Sequence, residues 1–352
     1  MFLLDSHCDT PSHLLRLRDL AFDDKYSHVD FPKINRGGVD GAFFALYTPA
    51  AMSADQAYTY AGRLLDAVND MISLHPDKAR LAKSRTEAYA NKEEGLFSVF
   101  LGLENGSALG DSFDRLEEFY DAGVRYVTLC HSKDNQICDS CAEGHRWHGL
   151  SPFGKDVVRQ MNRLGMLVDV SHISDASFYN VLETSDRPVV ATHSCCRALC
   201  SHPRNMTDQM IRDLASAGGV IQVNFYPLFL DGGFQAVLKE SGIMSYGEQI
   251  ENEFIADPAD PKKRAAWNQV QDKLMDLKRP TYKLIAEHID HVVNLVGIDH
   301  VGLGSDFDGI EVTPEGMEDI SKMPILLEEL RNRGYKESDL EKIASENFFR
   351  IL

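Results

Sequence analysis

Met166-Leu167-Val168-Asp169-Val170-Ser171-His172 is a short apolar run that stops on a histidine. The same form recurs along the chain. Residues 189–192 run into His193, 126–130 into His131, and 96–103 into Glu104. Residues 2–6 run into His7, with Asp9 two positions on, and 301–305 run into Asp306. Two further runs, 39–47 and 219–225, complete a set of eight. Runs this short and this apolar read as strands buried on both faces, as in a parallel sheet covered by helices.

Helical patterns lie between the strands. Residues 54–74 put Ala57, Ala61, Leu64, Leu65, Val68, Met71 and Ile72 on one stripe. Segments 113–122, 154–163, 175–182, 208–217, 282–296 and 323–332 behave similarly. Gly123, Gly165 and Gly218-Gly219 stand where helices end and strands begin. Strand and helix alternating eight times predict an α/β fold, a (β/α)8 barrel of the TIM type. An open doubly wound sheet competes, but no GxGxxG follows the first strand, and polar residues recur around the whole strand order. Residues 227–280 are too long for an ordinary βα loop and carry a charged helix around 262–277. They read as an insertion over the barrel mouth within a single 1–352 domain.

In such a barrel the carboxyl ends of all strands open on one face, so residues distant in sequence converge there. One buried histidine is more often a core residue bonded to backbone than a ligand. Several imidazoles and carboxylates at one barrel end are different, because burying them without a cation leaves large desolvation costs uncompensated. His7, Asp9, Glu104, His172 and His193 are therefore the candidate metal ligands. Their nitrogen and oxygen donors suit zinc, with manganese or cobalt as substitutes. The other histidines fall in helices, in loops or at a strand start and read mostly as surface or structural. His145 and His148 lie in the loop after the fourth strand, within reach of substrate.

The 352 residues carry a net charge of -18 and are 43% hydrophobic, enough for a large core. No basic stripe offers itself to nucleic acid or an anionic membrane. No apolar stretch approaches a membrane span, and the first residues lack the basic start of a signal peptide, so a cytoplasmic protein is expected. Seven irregularly placed cysteines argue against a disulfide framework. Cys138 and Cys141 form a lone CxxC, read as a loop feature. Cys8 lies between His7 and Asp9, and alternation turns it away from them into packing.

The chain resembles the membrane dipeptidase (renal dipeptidase) family of zinc peptidases, in a soluble bacterial-type form. The resemblance rests on Asp5-Ser6-His7-Cys8-Asp9-Thr10-Pro11, Gly102-Leu103-Glu104-Asn105-Gly106, Thr128-Leu129-Cys130-His131 and Val168-Asp169-Val170-Ser171-His172. It continues through Thr192-His193-Ser194, Arg204-Asn205-Met206, Val223-Asn224-Phe225-Tyr226 and Gly304-Ser305-Asp306-Phe307-Asp308-Gly309, in family order from the first strand to the last. It implies two zinc ions per subunit, one held by His7 and Asp9, the other by His172 and His193, with Glu104 bridging. It implies dipeptide hydrolysis by a hydroxide between the ions, with Asp306 handling the proton and His131 facing the scissile carbonyl. Arg204 would take the substrate carboxylate. The family's substrate-side tyrosine lies where this chain has Pro227-Leu228-Phe229, which leaves Tyr226 as the nearest substrate-binding candidate. A D-residue at the C-terminal position and a homodimer are left open. Two readings compete: a binuclear lactonase or phosphotriesterase-like hydrolase, and a metal-stabilised binding protein without catalysis. The former relatives usually open with HxH and bridge their ions with a modified lysine, where this chain offers Asp9 and Glu104.

Overall fold

The computed structural model describes residues 1–142 and 145–352. Nine parallel strands form one sheet: β1 (Leu4–Cys8), β2 (Gly41–Tyr47), β3 (Ala79–Leu81), β4 (Phe97–Glu104), β5 (Val124–Thr128), β6 (Leu167–Asp169), β7 (Val190–Ser194), β8 (Val220–Val223) and β9 (Val301–Leu303). Eight of them follow one another in the order β1-β2-β4-β5-β6-β7-β8-β9. Past the end of β9, the bridge between Cys8 and Phe307 joins the last strand back to the first. There the amide of Asp9 donates to Phe307 O at 2.8 Å and that of Asp306 to His7 O at 3.0 Å. The result is the expected (β/α)8 barrel.

All eight expected strands are present, with shifted ends. The helix Phe113–Ala122 stops at Gly123, whose φ of 115° is a left-handed cap. The chain therefore enters β5 at Val124, two residues earlier than the apolar run alone predicts. β1 lies later than expected, so His7 sits inside the strand. The strand β3 was not expected. It pairs with Phe97–Val99 of β4, below the point where β5 begins to pair at Leu101. Three residues with one exposed arginine show no readable period.

The stripe on the helix Ala54–Leu74 buries Ala57, Ala61, Leu64, Val68 and Met71, while Leu65 and Ile72 are half-buried. Its start is fixed by a reciprocal cap between Ser53 and Gln56. Inside the barrel, Phe2, Leu4, Phe43, Phe100, Leu167, Val190 and Val220 pack with Phe348, Phe349 and Ile351 from the C-terminal helix. These residues come from the amino ends of the strands, so they seal that end with apolar side chains, each worth about 1.5–3 kcal/mol when fully buried.

Residues 227–275 are mostly helical: Pro227–Leu230, Phe234–Ser241, Met244–Ala256 and Pro261–Met275. They build a small apolar cluster around Phe234, Phe254, Trp267 and Leu274 that also takes in Val312 from beyond β9. Arg264 donates to Arg16 O at 3.1 Å, and Tyr26 to Asp272 at 3.2 Å. These helices thus touch the segments that follow β1 and β9.

Candidate active site

The carboxyl ends of the strands bring all five candidate ligands together. Glu104 is the last residue of β4 and is buried. Its two oxygens face different neighbours. Oε2 lies 3.4 Å from His7 Nε2, while Oε1 lies 3.2 Å from His172 Nε2 and 3.5 Å from His193 Nε2. Asp9 Oδ2 stands 3.6 Å from His7 Nε2. His172 Nε2 and His193 Nε2 face one another at 2.8 Å, and the rings of His7 and His193 stack at 3.7 Å. Among the described residues, three groups of donor atoms are compact enough to hold an ion: His7, Glu104 and His193; Glu104, His131 and His172; and His7, Asp9 and Asp306.

The donors fit divalent cations. His7 Nε2 and Asp9 Oδ1 are buried with no hydrogen-bond partner, a costly state that a cation would relieve. Burial holds His172 and His193 well below the usual imidazole value, so both are neutral and can act as ligands. Burial also opposes charge on His7, but the Glu104 and Asp9 carboxylates outweigh it and raise its pKa well above the usual value. Burial pushes Asp9 up to about 6, with the Glu104 charge adding to it.

The backbone bends to aim these groups. His172 (φ 70°), Asp306 (φ 66°) and Asn105 (φ 78°), which follows Glu104, occupy left-handed conformations that non-glycine residues avoid. Each costs of order 1 kcal/mol, and such strain gathers where geometry serves function. Strand periodicity gives no sign of these turns.

Asp306 is held by Asn224, whose Nδ2 donates to Oδ2 at 2.9 Å, and burial raises its carboxyl pKa. His131 Nε2 is 3.9 Å from Glu104 Oε1; its ring packs on His172 at 4.2 Å and edge-on against Tyr47 at 4.9 Å. Burial brings the His131 pKa down to about 3, leaving a neutral ring. Arg204 lies under the same end of β7. Its Nη1 donates to Ser194 Oγ and its Nη2 to His193 O, both at 2.8 Å, while its buried Nε has no partner. Tyr226 stands apart from the ligands: its hydroxyl donates to Glu311 at 2.9 Å and its ring packs on Phe229 at 5.0 Å. His145 and His148 are exposed and stack on each other at 6.3 Å. Cys8 is buried in the outer core with its thiol directed at Phe43 O, and all seven cysteines are free.

Several supporting residues escaped the sequence reading. Tyr126, fully buried in the barrel, reaches His7 Nδ1 at 2.8 Å. Its ring occupies the space where a Cβ on Gly102 would stand, so Gly102 in the Gly-Leu-Glu run is the gap that admits it. The signal was a glycine inside a strand. Asp308 accepts from Thr10 at 2.8 Å and from the His28 amide at 2.7 Å, and lies 3.4 Å from His13 Nδ1. This ties the turn carrying Asp306 to the segments after β1, and gives His13 and His28 structural places.

The model of the family described as membrane dipeptidase, peptidase family M19, matches residues 1–352. An uncharacterized dipeptidase of Schizosaccharomyces pombe is 30% identical over 99% of this chain and 80% of its own length. The dipeptidase aclJ of Aspergillus oryzae is 32% identical over 97% of this chain and 73% of its own. Among solved structures, that of the probable dipeptidase PvdM from Pseudomonas aeruginosa superposes with a TM-score of 0.82 at 25% identity, covering 100% of this chain and 94% of the other. With strand ends that gather a metal-binding set of histidines and carboxylates, and a family match over its full length, the chain belongs to the membrane dipeptidase family of peptide-bond hydrolases.

Proposed function

We propose that this protein is a binuclear zinc dipeptidase, with manganese or cobalt as substitutes. His7 and Asp9 would hold one ion and His172 and His193 the other, with Glu104 placed to serve both. The observation that carries this reading is the division of Glu104: one oxygen faces His7, the other faces His172 and His193. A single ion would need only one of them.

When bound, the ions would supply Lewis acidity and activate a water for attack. The chain's own residues do the rest. Asp306, oriented by Asn224, takes the attacking water's proton and returns it to the departing amine. His131, neutral and beside Glu104, donates a hydrogen bond to the oxygen that gains charge. Arg204 offers its unpaired Nε edge to the substrate's terminal carboxylate, which restricts substrates to short peptides. Tyr226 serves the pocket wall through its bond to Glu311.

Residues 1–352 act as one domain, with 227–280 shielding the mouth. The contacts of that insertion with Arg16, Tyr26 and Val312 support this arrangement. No helix among the described residues is long and apolar enough to cross a membrane. Free thiols support a cytoplasmic setting. The test is hydrolysis of dipeptides against lactones and phosphotriesters by metal-depleted protein with zinc restored. Dipeptide turnover alone supports the proposal. Faster lactone or triester turnover rejects it in favour of the related hydrolases, and no turnover with zinc bound leaves only a binding protein.

A further inference from the structure

Hydrogen-bond counting around Asp169 leads beyond the ligand set. Asp169 ends β6, is fully buried, and touches none of the cavity's donor atoms directly. Its Oδ1 accepts from the amides of Ser171 at 3.0 Å and Thr192 at 2.9 Å. Its Oδ2 accepts from the hydroxyls of Thr128 at 2.5 Å and Thr192 at 2.7 Å. A carboxylate only accepts, so the single hydroxyl proton of Thr192 is committed to Asp169. The same Thr192 Oγ1 lies 2.7 Å from His193 Nδ1. Having no proton left to give, it must accept one, which places the ring proton on Nδ1 and leaves Nε2 with a bare lone pair. That Nε2 faces Glu104 Oε1 and His172 Nε2.

We propose that Asp169, acting through the Thr192 hydroxyl, is a positioning residue that locks His193 in the one tautomer able to bind a metal through Nε2. The inference rests on the reading of His193 as a ligand. His7 is prepared differently. Its Nδ1 meets the Tyr126 hydroxyl, which can either donate or accept, so no tautomer is imposed there. The relay makes His193 ready before any ion arrives. Groups that orient a metal-bound histidine typically contribute about 10–100-fold to metal affinity.

The experiment is zinc titration of metal-free protein against a chromophoric chelator, with nitrogen NMR of the histidine rings before zinc is added. The proposal expects the His193 ring to carry its proton on Nδ1 in the metal-free wild type. It expects Thr192→Val to weaken one zinc by about 10–100-fold, and Thr192→Ser, which keeps the hydroxyl, to bind as the wild type does. Wild-type affinity in Thr192→Val, or equal losses in the Val and Ser variants, overturns the relay. So does an Nε2 proton on His193 in the metal-free wild type, a measurement that needs no variant to fold. His193→Ala separates the two claims. Loss of one zinc there with none in Thr192→Val defeats the relay alone, whereas two zincs retained in His193→Ala defeat the ligand reading beneath it.

Discussion

Arg204 offers a prediction whose size follows from its hydrogen bonds. The guanidinium has five N–H groups. Two already serve the end of β7, donating to Ser194 Oγ and His193 O, and Nε is buried with no partner. With the side chain 6% exposed and Phe229 packed 5.5 Å from its centre, the fork cannot turn to solvent to satisfy itself. On the proposed reading, a substrate carboxylate would supply the missing acceptor. A hydrogen bond to a charged group is worth about 1.5–3 kcal/mol, or one to two powers of ten. The assay compares kcat/KM for a dipeptide and its C-terminal amide in wild type and in Arg204→Met. The wild type should prefer the free acid by about 10–100-fold, and the variant should show almost no preference. Each ratio is internal to one enzyme, so destabilisation or partial metal loss in the variant cancels. The same acid preference in both proteins would refute the reasoning and place the carboxylate elsewhere, for example against the helices of 227–275.

Asp306→Asn should lower kcat by about two to four powers of ten with metal content unchanged, because Asn224 already fixes the side chain; loss of metal along with rate would make Asp306 a ligand instead. Tyr126→Phe removes the 2.8 Å contact to His7 and should weaken metal binding by about tenfold, read by chelator competition with folding checked by circular dichroism. His288 is buried, accepts from the Cys196 amide at 3.0 Å and donates to Leu230 O at 3.2 Å. Burial lowers its folded pKa to about 4 from the usual 6.5. The neutral ring therefore stabilises the fold fully above pH ~6.5, and up to about 3 kcal/mol is lost as pH falls towards 4. Urea unfolding at pH 7 and pH 4.5 should show a smaller acid loss in His288→Gln than in the wild type.

The barrel was legible because burial on both faces writes each strand as a compact apolar run. The candidate ligands were legible because such runs break at a histidine or a carboxylate, and the structure brings those residues together. What remained hidden had no such contrast. β3 is three residues long and half exposed, so nothing set it apart from a loop. His131 and His172 were named as candidates, but they stand three residues past Thr128 and Asp169, where the strands have ended and the chain turns, so what stayed hidden was how they are aimed. Their positions depend on backbone angles, not on periodicity. Tyr126 read as one more apolar strand residue, and its hydroxyl acquires meaning only beside His7. Asp169 was visible as a charge inside an apolar run, but the four groups that bond it come from β5, β7 and the turn after β6. Tyr226 was a substrate candidate only as the nearest stand-in for the family's tyrosine, and its bond to Glu311 joins residues 85 apart in sequence.

The central claim is that Glu104 joins two metal ions. Its most direct test is diffraction from zinc-loaded crystals at the zinc absorption edge. The account predicts two anomalous peaks, one beside His7 and Asp9 and one beside His172 and His193, each next to a different oxygen of Glu104. A single peak, or two peaks with Glu104 turned away from either, would contradict it.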